Sequence, residues 1–210
     1  MKKTMVIDDF IKMAKEDIDT AADYEMESAN CNLAKEIYKR LFKFYDKKSY
    51  SGDVIFTWKS PSLVKDSVYV GHRDTKIYNK RTIGNLFPTF CTNKKYSLNE
   101  NRNGYMGDFP HDYIDIYLEH VAKYAYCKEM PQIKEYYPLK RAILYEYNMK
   151  YFKSFNNSFV DFLRQNYLED IWAEIEKRPF SDLEFDDFMN LSCRLMHERG
   201  KKMLDELIRQ

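Results

Sequence analysis

The chain has 210 residues and a formal net charge of +1, so overall charge points to no partner, and a single core can form at this length without a disulfide or metal staple. No stretch approaches the roughly 20 apolar residues of a membrane span. The four cysteines (Cys31, Cys91, Cys127 and Cys193) form no CxxC pair and no apolar leader follows Lys2 and Lys3, so the reading is a cytoplasmic protein with reduced thiols.

In chain order, residues 4–45 carry a helical pattern. Ile7, Phe10, Ile11, Ala14 and Ile18 follow the spacing of one buried face, and Ala29, Leu33, Ile37, Leu41 and Phe44 continue it. The acid-rich stretch between them (Asp17, Asp19, Asp23, Glu25) fits either a turn or the polar face of one long helix, since no Gly or Pro breaks it.

The pattern changes over residues 49–107, which hold five of the six glycines together with Pro61 and Pro88. The β-branched and aromatic runs at 54–58 and 67–70 fit strands of a small antiparallel sheet. Residues 93–103 are polar and fit an exposed loop.

Helix returns after Gly107. Pro110 suits a first turn, and Ile114, Tyr117, Leu118, Val121 and Ala125 form an apolar stripe. Residues 139–155 and 158–172 fit two further helices, the second carrying Phe159, Phe162, Leu163 and Leu168. Ser181 to Glu184 matches a capping box for a last helix. Its inward face is Phe185, Phe188, Met189, Ser192, Leu195, Met196, Arg199, Met203 and Leu207. Gly200 interrupts that face at about 1 kcal/mol relative to alanine. The expected fold is mainly α (α+β) in one domain: an N-terminal helical arm (1–48), a β-containing insert (49–107) and a C-terminal helical part (108–210).

Function is sought in the insert, because loops on a rigid frame commonly carry it. Residues 71–102 hold seven basic side chains (Arg73, Lys76, Lys80, Arg81, Lys94, Lys95, Arg102) against two acidic ones (Asp74, Glu100), a local surplus of five. Such a block can mark the footprint of a polyanion, and Tyr69, Tyr78, Phe87, Phe90 and Tyr96 lie within or beside it. Unstacked RNA bases pack on rings of this kind, although the same rings could anchor the insert to the helical body.

His72 and His111 flank the insert. An imidazole titrates near neutrality, so the pair has the chemistry for removing a 2′-hydroxyl proton and protonating a leaving 5′-oxygen. Arg73, Lys76 and Arg81 would stabilise the phosphate. The plainer alternative is two surface histidines. His120 and His197 read as helix-surface or satisfied interior histidines. Glu25 with Glu27, and Asp108 with His111 and Asp112, read as solvated or capping groups, so no metal and no cofactor is expected. Dinucleotide, P-loop, zinc-protease and nucleophile-elbow motifs are all missing from the sequence, which removes the corresponding enzyme classes.

The segments IGNLFPTF (83–90), FPHDYIDIYLEHVAKY (109–124), FNNSFVDFLRQNYLED (155–170) and PFSD (179–182) occur in an order that resembles a bacterial family of unknown function. That resemblance implies a strand ending in Pro-Thr-Phe, a glycine-containing loop and then helices; it carries over no catalytic residue. In its lysine- and tyrosine-rich, glycine-poor style the chain is also similar to accessory proteins of Firmicute phages and plasmids, among them anti-CRISPR proteins acting on Cas9. This second resemblance implies an RNA or ribonucleoprotein partner such as Cas9 with its guide RNA.

The expectation is therefore a mobile-element protein directed at RNA. It would use His72 and His111 if it cleaves, and Arg73, Lys76, Tyr78, Lys80, Arg81, Lys94 and Lys95 to hold the strand. The alternatives are a non-enzymatic inhibitor and an adaptor that binds through its helical faces.

Overall fold

A computed structural model describes residues 5–45, 50–56, 81–90, 114–127 and 151–210. The protein is mainly helical, as expected. Helix α1 (Ile7–Glu16) buries Phe10 and Ala14. It stops at Asp17, whose carboxylate accepts the amides of Asp19 and Thr20 at 3.1 Å and the Thr20 hydroxyl at 2.6 Å, and so caps α2 (Ile18–Ala22). The acid-rich stretch is thus a turn and a short second helix. Helix α3 (Asn32–Leu41) starts at Cys31, whose sulfur accepts the Ala34 amide at 3.4 Å, and it buries Leu33, Ala34, Ile37, Tyr38 and Leu41.

Strands β1 (Tyr50–Val54) and β2 (Leu86–Phe90) pair antiparallel, Tyr50 opposite Phe90 and Val54 opposite Leu86. The expected strand at 54–58 shares only Val54 with β1. Ile55 N–H still donates to the Asn85 carbonyl in the same register, but Phe56 bonds the Asn85 side chain instead of backbone, which ends the run early. The expected strand at 67–70 lies outside the described residues. Gly52 sits opposite Pro88, and its N–H and C=O both bond the Asn30 side chain, at 2.8 and 2.9 Å. Those groups face away from β2, so this is a non-hydrogen-bonded pair and the N–H that Pro88 lacks is not required by β1. A Cβ at Gly52 would overlap the Ala29 carbonyl and the Tyr38 hydroxyl, so the approach of β1 to α3 requires glycine.

Helix α4 (Ile114–Cys127) buries Ile114, Tyr117, Leu118, Val121 and Ala122, matching most of the predicted stripe. Of the helix expected at 139–155, only the turn at 151–153 is described. The helix expected at 158–172 is two: α5 (Phe159–Gln165), capped by Ser158, and α6 (Glu169–Lys177). The break is a Schellman turn. Leu168 N–H reaches Leu163 O at 2.9 Å, Tyr167 N–H reaches Arg164 O at 3.2 Å, and Tyr167 adopts φ 57°. The buried pair Leu163 and Leu168 supplies the apolar contact of that motif, and no glycine announces it in the sequence.

The last helix, α7 (Phe185–Arg209), begins four residues after Ser181, with Glu184 at the N-cap and no side-chain cap. The predicted capping box is therefore corrected: residues Phe180–Asp182 form a 3₁₀ turn that buries Phe180 against Phe56 and Phe188. The inward face of α7 is as predicted at Phe188, Ser192, Leu195, Met196, Arg199, Met203 and Leu207. All these elements contribute to one buried cluster, in which Phe162 meets the rings of Tyr117, Tyr151, Phe152 and Phe155 edge-on, with centroids 5.4–6.2 Å apart.

Candidate functional site

The insert is fastened to the helical frame at its stem. The Ile55 amide donates to the Asn85 carbonyl at 3.0 Å. The fully buried Asn85 side chain then takes both polar groups of Phe56, accepting its N–H at 2.8 Å and donating to its carbonyl at 3.1 Å. One asparagine thereby joins the point where the chain departs into residues 57–80 to the point where it returns. On the return, the Arg81 carbonyl accepts the Met26 amide at 3.1 Å, and the Arg81 guanidinium donates to the Glu27 carbonyl at 2.9 Å.

Arg81 is the only predicted site residue among those described. It is exposed, and among the described residues it meets a main-chain carbonyl and no carboxylate, so its positive charge is kept while its position is fixed. His72, His111, Arg73, Lys76, Tyr78, Lys80, Lys94 and Lys95 lie outside the described residues. The chain leaves toward 57–80 from one end of the strand pair and toward 91–113 from the other. A five-residue strand separates those exits by about 14 Å.

Beside the Arg81 attachment lies a cleft of about 290 Å³, lined by Met5, Tyr24, Met26, Glu27, Cys31 and Leu33, with Asn32 at its edge. Its lining mixes polar and apolar groups, and its exposed carboxylate is Glu27. Cys31 is a free thiol, but its sulfur is engaged as the cap of α3.

The return of the insert is also held from below. In the 3₁₀ turn Ile83–Asn85, a Cβ on Gly84 would overlap the Met196 carbonyl and stand 2.6 Å from the Gly200 nitrogen. Two glycines thus let the turn lie directly on α7. Arg199, fully buried, locks it there. Its guanidinium donates to the carbonyls of Gly84 (2.6 Å), Leu86 (2.9 Å) and Asn166 (3.2 and 3.1 Å). The Asn166 carbonyl is one that the end of α5 leaves without a helical partner. No carboxylate faces this arginine among the described residues. Burial pushes it down to about 10, against opposing contributions from Tyr167, Tyr38 and Tyr151, and it remains a cation at neutral pH. The sequence placed Arg199 on the inward face of α7 but gave no sign of its three carbonyl partners.

His197, two residues earlier on α7 and so on a different side of the helix, sits between two acids of the α2 region. Nε2 is 2.9 Å from Asp19 and Nδ1 is 3.2 Å from Asp23, while Lys201 donates to the same Asp19 oxygen at 2.8 Å. Burial alone would lower the imidazole, but the bonds to Asp23 and Asp19 outweigh it and hold it above its ordinary value. With both nitrogens facing carboxylates, the ring offers no free lone pair to a substrate proton. It acts as a tether, in keeping with a satisfied histidine. Among the described residues no group of three His, Cys, Asp or Glu side chains could hold a metal ion, and no helix is long and apolar enough to cross a membrane.

No protein-family model matches the chain, and neither a curated protein nor a solved structure gives a significant match.

Proposed function

We propose that the chain is a mobile-element accessory protein directed at RNA or a ribonucleoprotein, with a guide-RNA-loaded Cas9-type complex as the partner class. The observation that carries this reading is the surplus of five positive charges within residues 71–102, interleaved with aromatic side chains, in a chain whose total charge is only +1. The anchored stem supports it physically. Arg199 on α7 holds the Gly84 turn, Arg81 meets the Glu27 carbonyl ahead of α3, and Asn85 ties the two sides of the stem together, so a strand bound by the basic side chains would be gripped from a fixed base. Binding is the primary activity in this reading; cleavage is added if His72 and His111 act as the proton-transfer pair.

The test is to incubate the purified protein with a structured RNA, free and within its ribonucleoprotein, with and without chelator. Shortening of the RNA that His72→Ala or His111→Ala abolishes identifies a nuclease. Intact RNA held in a salt-sensitive complex, weakened by Lys76→Glu with Lys80→Glu, identifies an occupying inhibitor. Indifference to RNA in every form rejects the reading. It would turn attention to the adaptor alternative, which is favoured by Tyr126 on α4 and Val160 on α5, 68% and 52% exposed, beside the ring pair Tyr126–Phe159.

A further inference from the structure

We propose that the outer face of α3, through Lys35, Lys39 and Lys43, is a second phosphate-contacting surface for the same RNA strand. The proposal rests on the RNA reading above but uses residues outside the basic run that suggested it. Residues 32–48 hold six basic side chains against two acidic ones, directly after a stretch, 5–31, with two basic against eight acidic. The N-terminal arm is thus two-signed, and the sign changes where α3 begins.

The fold keeps these cations outward. Leu33, Ala34, Ile37, Tyr38 and Leu41 take the buried side of α3, which leaves Lys35 and Lys39 on the opposite flank and the exposed Lys43 just past its end. Lys39 also pairs with Glu36 along the helix, and Arg40 lies 3.9 Å from Asp8, whose carboxylate is 88% exposed. Such surface pairs are weak and yield readily to a phosphate. Lys43 stands 5.4 Å from the centre of the Phe44 ring, and neither it nor Lys35 has a carboxylate partner among the described residues. Several cations of α7 are more fully engaged: Lys201 with Asp19, Lys202 with Asp170, and Arg194 with Glu174 and Glu198.

Geometry suits a strand. Lys35 and Lys39, four residues apart on α3, lie about 6 Å apart along its axis, the order of the spacing between neighbouring phosphates. Phe44 and Tyr45 at the end of the stripe pack against Phe155 and Tyr38, with centroids 4.9 and 5.2 Å apart, and are only partly buried, so a base would meet what remains exposed of each ring. Tyr50 pairs with Phe90, so the chain arriving from α3 and the chain departing toward Lys94 and Lys95 meet at one end of the strand pair.

The experiment measures binding of a fluorescein-labelled 20-nucleotide single-stranded RNA by anisotropy between 50 and 300 mM salt. It compares wild type with the triple variant Lys35→Gln, Lys39→Gln, Lys43→Gln and with a charge-matched control, Lys12→Gln, Lys15→Gln, Lys177→Gln. Circular dichroism confirms that both variants fold. Three lost single-strand phosphate contacts should reduce the slope of log K against log salt by about 2. Affinity at the lower salt should fall tenfold or more, with the control unchanged. Wild-type binding with the same slope in the α3 variant and wild type overturns this proposal and leaves the RNA reading standing. Equal losses in both variants also overturn it, as a mere effect of net charge. The same loss toward poly-glutamate overturns it in favour of an acidic protein partner. Absence of RNA binding by wild type removes both readings together.

Discussion

Replacing Arg199 by methionine tests whether the stem of the insert depends on a buried cation. The substitution keeps the length of the side chain and removes the donors that serve the carbonyls of Gly84, Leu86 and Asn166. An unsatisfied buried carbonyl costs about 1–3 kcal/mol, so three of them set a gross loss of about 3–9 kcal/mol. Against this, the variant no longer buries a charge. The fall of the arginine from its ordinary value to about 10 corresponds to about 3 kcal/mol disfavouring the charged form. The expected net loss is about 3 kcal/mol, a large fraction of the stability of an ordinary domain. Urea unfolding followed by far-UV circular dichroism measures it. Arg199→Lys should recover less than half, because one ammonium on a narrower stem cannot reach carbonyls on both sides as a planar fork does. A methionine variant as stable as wild type would refute the reasoning. It would place this arginine among the buried charges that a well-packed hydrophobe replaces without loss.

Gly84→Ala should destabilise by more than 3 kcal/mol, because its Cβ overlaps backbone of α7. Gly200→Ala, with its Cβ at 3.3 Å from Gly84 N and Ile83 Cγ2, should change stability by no more than about 1 kcal/mol, as helix propensity offsets the squeeze; thermal unfolding of the two variants checks the contrast. Asn85→Ala should cost about 2–4 kcal/mol by orphaning both polar groups of Phe56, and hydrogen exchange should show the Phe56 amide losing its protection. The His197 clasp gives stability a pH dependence. Its folded value is raised, so its contribution is complete below the unfolded value near 6.5 and is lost as pH rises through the higher folded value. Urea midpoints should therefore fall as pH rises above about 6.5, and His197→Gln should flatten that fall. Asp19, held low by Lys201 and then His197, works in the opposite sense: its contribution is present above its ordinary value and is lost as pH falls through the lowered one.

The sequence revealed most where one periodicity governs a whole element. The stripe of α4 and the inward face of α7 were read nearly residue by residue, because a helix against a core repeats its burial every three or four positions. It failed where side chains decide the backbone. Asp17, Asn85 and Asn30 end or replace regular hydrogen bonding through their own polar groups, and an asparagine or aspartate in sequence does not show which distant peptide it will bind. Tyr167 ends α5 in a conformation usually taken by glycine, so the sign that normally marks such a break was missing. Ser181 misled in the other direction, since burying Phe180 claims the residues a capping box would have used. At the site, Arg81 stands where the chain returns to the segment of Met26 and Glu27. The basic half of the N-terminal arm was overlooked because its charge is cancelled by the acids just before it.

The two-stranded pair is closed to further recruitment. Along the free side of β1, Asn30 occupies Gly52; along the free side of β2, Arg199 occupies the Leu86 carbonyl and Pro88 has no hydrogen to offer. Among the described residues an extended segment from another copy finds no continuous row of donors and acceptors along either strand, which disfavours edge-to-edge pairing in a protein carrying 32 Tyr and Phe residues.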